Sequence, residues 1–246
     1  MKLLKNFKAP LLAIAVAGVF TACSSDDDNT QDLENGKGQL GIFAAASYSP
    51  TADKNNLAGN SVIELSKFAV NIDEIELEYD DIIDEDSFYN SDDDIELKGP
   101  FELNLLTAEP VEIVTVELPN GRLEEIEFEF DKNELSESDL YNQSIRMEGT
   151  LDGVPFVFWH DFEEELELEF DEDDSPQGQI YNDQNGIVIN FDLTAILDPT
   201  SGVDLSTAVD RNGDGLIEIS PNDTDGNQDL AEAMKETIKN QIDLFD

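Results

Sequence analysis

Cysteine and histidine are almost missing from this chain of 246 residues, which has one of each. A disulfide framework or a thiolate zinc cluster needs several cysteines, so the sequence excludes both. The lone histidine likewise excludes a metal centre built from several imidazole rings. These two absences limit the function to classes that need neither clustered thiols nor clustered imidazoles.

Basic residues are also scarce. Lys and Arg together number 13 against 58 Asp and Glu, which gives a formal net charge of −45. Proteins gain most of their non-specific affinity for nucleic acids by neutralising phosphates with Lys and Arg, so we expect no nucleic-acid partner. Hydrophobic residues make up 39% of the chain. That fraction is enough to form a core, so we do not expect a disordered protein.

The N-terminus has the composition of a secretory leader. Three lysines precede the apolar run Pro10–Phe20, which is too short to span a bilayer. The next residues, Phe20-Thr21-Ala22-Cys23, resemble the lipobox of bacterial lipoproteins, although Phe20 stands where Leu is more usual. We predict a lipoprotein signal peptide at residues 1–22, with Cys23 as the lipid-bearing N-terminus of the mature protein.

An acidic cluster follows Cys23 directly. The segment Ser24–Asp28 resembles the surface-export signal of Bacteroidota lipoproteins, and residues 23–37 have the polar composition of a tether. We therefore predict a protein that is held in the outer membrane by its lipid and faces the cell exterior. The alternative is that the cluster is only part of a solvated tether.

Three segments alternate apolar residues with glutamates. Their apolar residues are Ile75, Leu77 and Tyr79; Ile126, Phe128 and Phe130; and Leu166, Leu168 and Phe170. A period of two is typical of antiparallel strands with one face buried and the other in water. Glu is a poor strand former, so burial of the apolar face must override local propensity.

Further strand candidates and turn dipeptides extend this pattern into a single β-rich domain at residues 38–246. Hairpin-type turns are predicted at Pro119-Asn120-Gly121, Asp152-Gly153 and Asn185-Gly186. The other strand candidates are Gln39–Ser47, Glu96–Leu106, Val111–Leu118, Ile145–Leu151, Val154–Trp159 and Gly186–Leu197. Short strands at this spacing predict a mainly β fold, an antiparallel β-sandwich, with a closed barrel as the alternative.

The C-terminal segment changes to helical periodicity. Apolar residues recur there at the spacing of one helix face: Leu230, Met234, Ile238, Ile242 and Phe245. The acids of Asp223–Asp229 can cap the start of a helix and favour its positive end. We predict one amphipathic helix over Gln228–Leu244, packed against a sheet.

One motif has metal-binding chemistry. Residues 210–218 (DRNGDGLIE) match the first nine places of an EF-hand-type calcium loop. Calcium needs several oxygen ligands at about 2.3–2.6 Å, and the glycine at place six allows the side chains at places one, three and five to converge. The predicted ligands are Asp210, Asn212, Asp214, the carbonyl of Leu216, and Glu218.

The motif departs from the EF-hand pattern at place twelve, where Pro221 replaces the bidentate Glu. A later carboxylate must then close the loop. The candidates are Asp223, Asp225 and Asp229, and we favour Asp225. This interpretation predicts a structural Ca²⁺ site at residues 210–225, and the alternative is an ordinary Asp-Gly turn that binds no metal.

His160 beside Asp161 is the one pair that suggests a catalytic dyad. No serine elbow or cysteine nucleophile accompanies it, and a histidine at the end of a strand is the simpler interpretation. Carboxylate pairs are so numerous that the sequence singles out none for glycoside hydrolysis. We therefore predict no catalytic residue.

Two segments resemble a group of Bacteroidota lipoproteins of unknown function. Gly99–Leu106 ends in Asn-Leu-Leu, and Val116–Phe128 places a Leu-Pro-Asn-Gly turn before an alternating strand, as that group does. Gly38–Phe43 and Phe68–Tyr79 fall where its early strands lie. The resemblance implies a β-sandwich in the cell envelope. Because the group has no assigned activity, the resemblance implies no catalytic residue.

Together these features predict a non-catalytic, lipid-anchored cell-surface protein with a structural calcium site and a binding or structural role at the outer membrane. The sequence does not specify a glycan or protein partner. Two alternatives remain open. One is an acidic hydrolase that uses a carboxylate pair or a metal-bound water. The other is a divalent-cation buffer that uses the acidic face as a whole.

Overall fold

The computed structural model describes residues 37–49, 61–79, 95–119, 121–170, 179–180, 184–200 and 202–245. The predicted signal peptide, Cys23 and the acidic cluster behind it lie outside the described residues. Strands account for 54% of the structure and helices for 12%. No helix in the described ranges is long and apolar enough to cross a membrane.

Twelve strands and two α-helices are defined in the described residues. The helices are α1 (Leu193–Ile196) and α2 (Gln228–Lys239), and a 3₁₀ turn spans Leu205–Thr207. The strands are β1 (Lys37–Ser47), β2 (Ile63–Tyr79), β3 (Ile95–Asn104), β4 (Val111–Pro119), β5 (Gly121–Phe130), β6 (Ile145–Leu151), β7 (Val154–His160), β8 (Glu164–Glu169), β9 (Gln179–Ile180), β10 (Gln184–Asp192), β11 (Ile217–Ile219) and β12 (Ile242–Phe245).

The strands form two sheets. The smaller sheet has the order β12-β10-β1-β4, and the larger has the order β11-β7-β6-β2-β5-β8. The long β2 is central to the larger sheet, because its first part pairs with β6, its last part pairs with β5, and β3 pairs along its other side. The sheets curl into a half-barrel. The predicted mainly β fold is confirmed, although β1–β10 and β7–β11 are parallel pairs in an otherwise antiparallel arrangement.

The hydrophobic core lies where the two sheets face each other. Phe191 of β10 in the smaller sheet packs edge-on against Phe68 of β2, with ring centroids 5.4 Å apart, and against Phe130 of β5 at 6.4 Å. Ile75 and Leu77 of β2 and Ile126 and Phe128 of β5 are fully buried, and Leu166 and Leu168 of β8 are partly buried against the same core. Burying such side chains contributes about 1.5–3 kcal/mol each. This contribution explains why segments so rich in Glu form strands.

Of the three predicted hairpin turns, the Asp152-Gly153 turn is confirmed and the other two are wrong. Asp152 and Gly153 have φ values of 52° and 83°, as a two-residue type I′ hairpin requires, and they join β6 to β7. The hairpin predicted at Pro119–Gly121 is not formed, because β4 pairs with β1 in the smaller sheet and β5 belongs to the larger; Asn120 lies outside the described residues. Asn185 and Gly186 lie inside β10.

The C-terminal helix is shorter than the predicted Gln228–Leu244. It ends at Lys239, and Asn240 closes its last turn by donating from its backbone and side-chain nitrogens to the carbonyl of Glu236. The chain then forms β12, which pairs with the edge of β10. An unpaired strand edge offers a row of backbone partners, and here that pairing overrides the helical periodicity. The predicted strand Gly186–Leu197 also ends early, where Asp192 caps α1.

Candidate cation-binding sites

A glutamate array covers the part of the larger sheet's outer face that β2, β5 and β8 form. The alternation of β2, β5 and β8 directs every second residue of each strand away from the core. We define the array as the nine glutamates of the three Glu-x-Glu-x-Glu segments in these strands: Glu74, Glu76 and Glu78; Glu125, Glu127 and Glu129; and Glu165, Glu167 and Glu169. The strands are adjacent in the order β2-β5-β8, so the three sets lie side by side.

The strand register places the glutamates of the array directly opposite one another. Between β2 and β5 the opposed pairs are Glu74–Glu129, Glu76–Glu127 and Glu78–Glu125. Between β5 and β8 they are Glu125–Glu169, Glu127–Glu167 and Glu129–Glu165. Directly opposed residues in antiparallel strands have Cβ atoms about 4.5–5.5 Å apart, and like charges at this spacing destabilise a sheet. The array therefore stores electrostatic repulsion that a bound cation would relieve.

Three members of the array come close enough to share one cation. Glu125, Glu127 and Glu167 each contribute a carboxylate oxygen, and these oxygens all lie within 4.8 Å of one another. In the ranges that the structure describes, this is the only group of three or more His, Cys, Asp or Glu residues that meets this condition. Carboxylate oxygens are the ligands that Ca²⁺ and Mg²⁺ prefer.

The electrostatic cost of the array is visible in its central strand. Partial burial, followed by the charges of neighbouring carboxylates, raises the pKa of Glu125, of Glu127 and of Glu129 above the ordinary value. At one corner, Lys98 of β3 donates to Glu74 Oε1 at 2.6 Å and lies 2.9 Å from Glu96 Oε2. These two carboxylates raise the pKa of Lys98. The ammonium group of Lys98 therefore neutralises part of the negative charge near Glu74. Glu125, in contrast, lies opposite two further glutamates, Glu78 and Glu169.

The three glutamate-rich strands are predicted from the sequence, but the array that they form is not. The signal was the repeated Glu-x-Glu-x-Glu pattern, which the chain contains at residues 74–78, 125–129 and 165–169. The periodicity of each segment shows which residues face outward. It does not show that β5 lies between β2 and β8, because β2 and β5 are separated by β3 and β4 in the chain.

The calcium-type loop at residues 210–218 is organised by Asp210. Its two carboxylate oxygens accept hydrogen bonds from the backbone N–H groups of Gly213 at 2.7 Å and Gly215 at 2.9 Å. Gly213 and Gly215 have φ values of 76° and 90°, a region that glycine adopts without strain. The loop therefore makes the sharp turn that the motif predicts.

The other predicted side-chain ligands lie around the same turn. Asn212 Oδ1 accepts from the N–H of Asp214 at 2.8 Å, and Asp214 Oδ1 accepts from the N–H of Leu216 at 2.9 Å. Asn212 Nδ2 donates to Thr224 Oγ1 at 3.1 Å, and the same hydroxyl lies 3.4 Å from Glu218 Oε2. The structure thus brings the side chains at places one, three, five and nine into one compact loop.

Asp225 lies inside this loop, fully buried, and its carboxylate accepts three backbone hydrogen bonds. Oδ1 accepts from the N–H groups of Arg211 and Asn212, both at 3.1 Å, and Oδ2 accepts from Glu218 at 2.9 Å. Burial alone would raise the pKa of Asp225, but these N–H groups and the charge of Arg211 hold the pKa below its ordinary value. Asp225 closes the loop by binding its backbone.

The loop has the oxygen donors of a calcium site but does not hold three carboxylates together. A carboxylate oxygen that accepts one N–H keeps a second lone pair for a cation, so the hydrogen bonds leave Asp210 and Asp214 able to bind one. No three acids of the loop bring their oxygens within 4.8 Å of one another in the described structure. A bound Ca²⁺ would have to draw the side chains of Asp210, Asp214 and Glu218 closer.

The remaining closure candidates have structural contacts of their own. Asp223 Oδ1 accepts from the N–H groups of Gly226 and Asn227, and its Oδ2 accepts from Ser220. Asn227 in turn donates to the carbonyls of Val209 and Glu218. These bonds tie the loop to the start of α2. Asp229 lies in the first turn of that helix.

No family model, no curated protein and no solved structure matches the chain. The resemblance to Bacteroidota lipoproteins therefore stays a prediction from the sequence.

Proposed function

We propose that this chain is a non-catalytic, lipid-anchored protein of the outer cell surface whose β domain binds divalent cations. The glutamate array is the observation that supports cation binding best, because six directly opposed Glu–Glu pairs lie on one face of a sheet. A divalent ion at Glu125, Glu127 and Glu167 would replace repulsion by attraction. Many weak sites of this kind would give the protein the role of a cation buffer or a cation-bridged contact surface.

The geometry around His160 supports a non-catalytic role. His160 is the last residue of β7, the strand-end position that the sequence analysis favours. Its ring nitrogens lie against the carboxylates of Glu232 and Asp161. A general base must reach the proton of its substrate, and the side chain of His160 is only 7% exposed, with a carboxylate against each ring nitrogen.

The loop at residues 210–225 is the second candidate cation site. It is favoured by the hydrogen bonds that turn Asp210, Asn212 and Asp214 around one tight bend. We propose that it takes one Ca²⁺, with Asp225 holding the backbone in place behind the ligands. Extracellular calcium loops typically bind with Kd values of about 10⁻⁴–10⁻³ M.

A calcium titration of the wild type and of Asp214→Ala distinguishes these two sites. If the loop binds, the wild type should show one step in the Kd range of about 10⁻⁴–10⁻³ M, and Asp214→Ala should lose that step because it removes a central ligand. The weaker binding at the array should remain in both proteins. Isothermal titration calorimetry measures both contributions. A wild type that takes up no calcium at millimolar concentration would contradict the proposed function.

The membrane anchor is tested by Cys23→Ala. We expect the wild type in the outer-membrane fraction, and added protease should digest it on intact cells. Without the acylated cysteine, the protein should move almost completely to the periplasm or the medium. Fractionation followed by immunoblotting measures the change. If Cys23→Ala stays in the membrane fraction, a lipid on Cys23 is not the anchor.

A further inference from the structure

His160 connects the larger sheet to α2. The helix packs against β7 and β11 through a face that buries Ala231, Met234 and Ile238. The side chain of His160 at the end of β7 is only 7% exposed, and its ring lies 5.6 Å from the ring of Phe162. The single histidine of the chain is therefore enclosed where the helix meets the sheet.

Both ring nitrogens of His160 face a carboxylate. Nε2 lies 3.2 Å from Glu232 Oε1 on α2, and Nδ1 lies 3.6 Å from Asp161 Oδ1. Nδ1 is buried and has no hydrogen-bond partner among the described residues. A neutral imidazole carries one N–H and one bare lone pair, so either tautomer directs its lone pair at a carboxylate. Only the protonated ring presents an N–H to both.

The helix residues around this contact are charged. Lys235 donates to Glu232 Oε2 at 3.1 Å and lies 3.4 Å from Glu236 Oε1, so Glu232 lies between a lysine and the histidine. These two contacts, that of Lys235 first, lower the pKa of Glu232 below its ordinary value. Glu232 therefore stays ionised over the range in which a histidine changes its charge, between pH 5 and 8.

The neighbouring strands add charges that already have their own partners. On β6, Arg146 lies opposite Trp159 and donates to Glu148 at 2.6 Å. On β11, Glu218 lies beside Val157, and its N–H is held by Asp225. Asp161 and Glu232 are thus the carboxylates within 4 Å of the ring in the described structure.

We propose that His160 is a pH-responsive clamp that fastens α2 to the end of β7. When the ring is protonated, it links Glu232 to Asp161. When the ring loses its proton, one nitrogen lone pair opposes a carboxylate, and the first turns of α2 open more often. Because α2 directly follows the calcium-type loop, acidification tightens the segment behind that loop.

A second link between the helix and the sheet provides a matched control. Lys239 in the last turn of α2 lies 2.5 Å from Glu164 Oε1 at the start of β8. Neither residue type normally changes its charge between pH 5.5 and 8. Removing this link with Glu164→Gln should loosen α2 equally at both pH values.

Hydrogen exchange of the α2 amides in the purified protein tests the clamp. Rates are compared at pH 5.5 and pH 8 after correction for the intrinsic pH dependence of exchange. The wild type should show about fivefold stronger protection at pH 5.5, a modest factor because the side chain of Glu232 is 55% exposed and screened by water. The ratio should fall to about one in His160→Gln and in Glu232→Gln, because each removes one side of the pair.

The control variant Glu164→Gln should keep the wild-type ratio of α2 protection at pH 5.5 to protection at pH 8. In Glu164→Gln, protection of α2 should drop at both pH values while the ratio between them stays near that of the wild type. The clamp is overturned if the wild type shows no pH dependence, if His160→Gln or Glu232→Gln retains it, or if Glu164→Gln abolishes it. Glu232→Gln alters an exposed position, so it remains informative even if His160→Gln does not fold.

Discussion

Replacing Asp225 with Ala should lower the free energy of unfolding by about 3 kcal/mol. The carboxylate is fully buried and accepts backbone N–H groups from Arg211, Asn212 and Glu218. Bonds to a charged acceptor are stronger than neutral ones, and a buried donor that loses its partner costs about 1–3 kcal/mol. Arg211 and Asn212 are exposed, so water can replace part of the hydrogen bonding that their N–H groups lose. The total cost should therefore be smaller than that of three fully buried N–H groups left without an acceptor.

Urea unfolding in the presence of a chelator measures this effect without any contribution from calcium. Asp214→Ala is the matched control, because Asp214 is exposed and its carboxylate accepts the backbone N–H of Leu216. It should cost less than about 1 kcal/mol. If both variants lose the same small amount, Asp225 does not hold the loop together.

The contribution of Asp225 should depend on pH in one direction. The pKa of this carboxyl is lower in the folded protein than the ordinary value of 3.8. A group with a depressed pKa stabilises the fold above its unfolded pKa, and that stabilisation is lost as the pH falls through the folded pKa. The penalty of Asp225→Ala should therefore be complete at neutral pH and shrink only in strong acid.

The sequence predicts which segments form strands better than it predicts which strands pair with each other. Alternation identifies the buried faces of β2, β5 and β8, and Asp152-Gly153 identifies the β6–β7 hairpin, because these signals are local. The placement of β4 and β5 in different sheets and the parallel β1–β10 pair depend on contacts between distant segments. The end of α2 was missed for a related reason, since Ile242–Phe245 gains more from pairing with the edge of β10 than from another helical turn.

The candidate sites also differ in whether their residues are close together in the sequence. The loop at residues 210–218 could be recognised because its ligands lie within nine residues. The role of Asp225 could be predicted only as closure of the loop. Its binding to three backbone N–H groups depends on how the chain folds back between Glu218 and Asp225. The glutamate array could not be predicted, because it is assembled from strands whose order is not written in any one segment.

Neutralising the centre of the array should stabilise the domain when no divalent cation is present. Replacing Glu125, Glu127 and Glu167 together with Gln removes the charge from four of the six opposed pairs, namely those that join residues 78–125, 125–169, 76–127 and 127–167. Each like-charged pair costs a few tenths of a kcal/mol to about 1 kcal/mol. The triple variant should therefore gain about 1–2 kcal/mol at pH 7 in a chelator.

The same variant should flatten the pH dependence of stability. The pKa values of Glu125 and Glu127 are raised in the folded protein, first by partial burial and then by neighbouring glutamates. A raised pKa stabilises the fold below the unfolded pKa, and this contribution is lost as the pH rises through the folded pKa. The wild type should lose stability from about pH 4.5 towards neutral pH, and the triple variant should lose less.

A control with the same change in charge isolates the array from the acidity of the whole protein. Glu109, Glu124 and Glu163 are exposed glutamates outside the array, and their replacement with Gln also removes three charges. This control should keep the stability and the pH profile of the wild type within about 0.5 kcal/mol. If it gains as much as the array variant, the repulsion belongs to the whole charged surface.

The most direct test of cation binding by the array is the number of calcium ions bound per chain. Equilibrium dialysis at millimolar calcium, with the metal measured by atomic absorption, compares the array variant with the control variant at equal net charge. The array proposal predicts at least one calcium ion fewer in the array variant, because Glu125, Glu127 and Glu167 hold three oxygens within 4.8 Å of one another. Equal calcium in the two variants would contradict it.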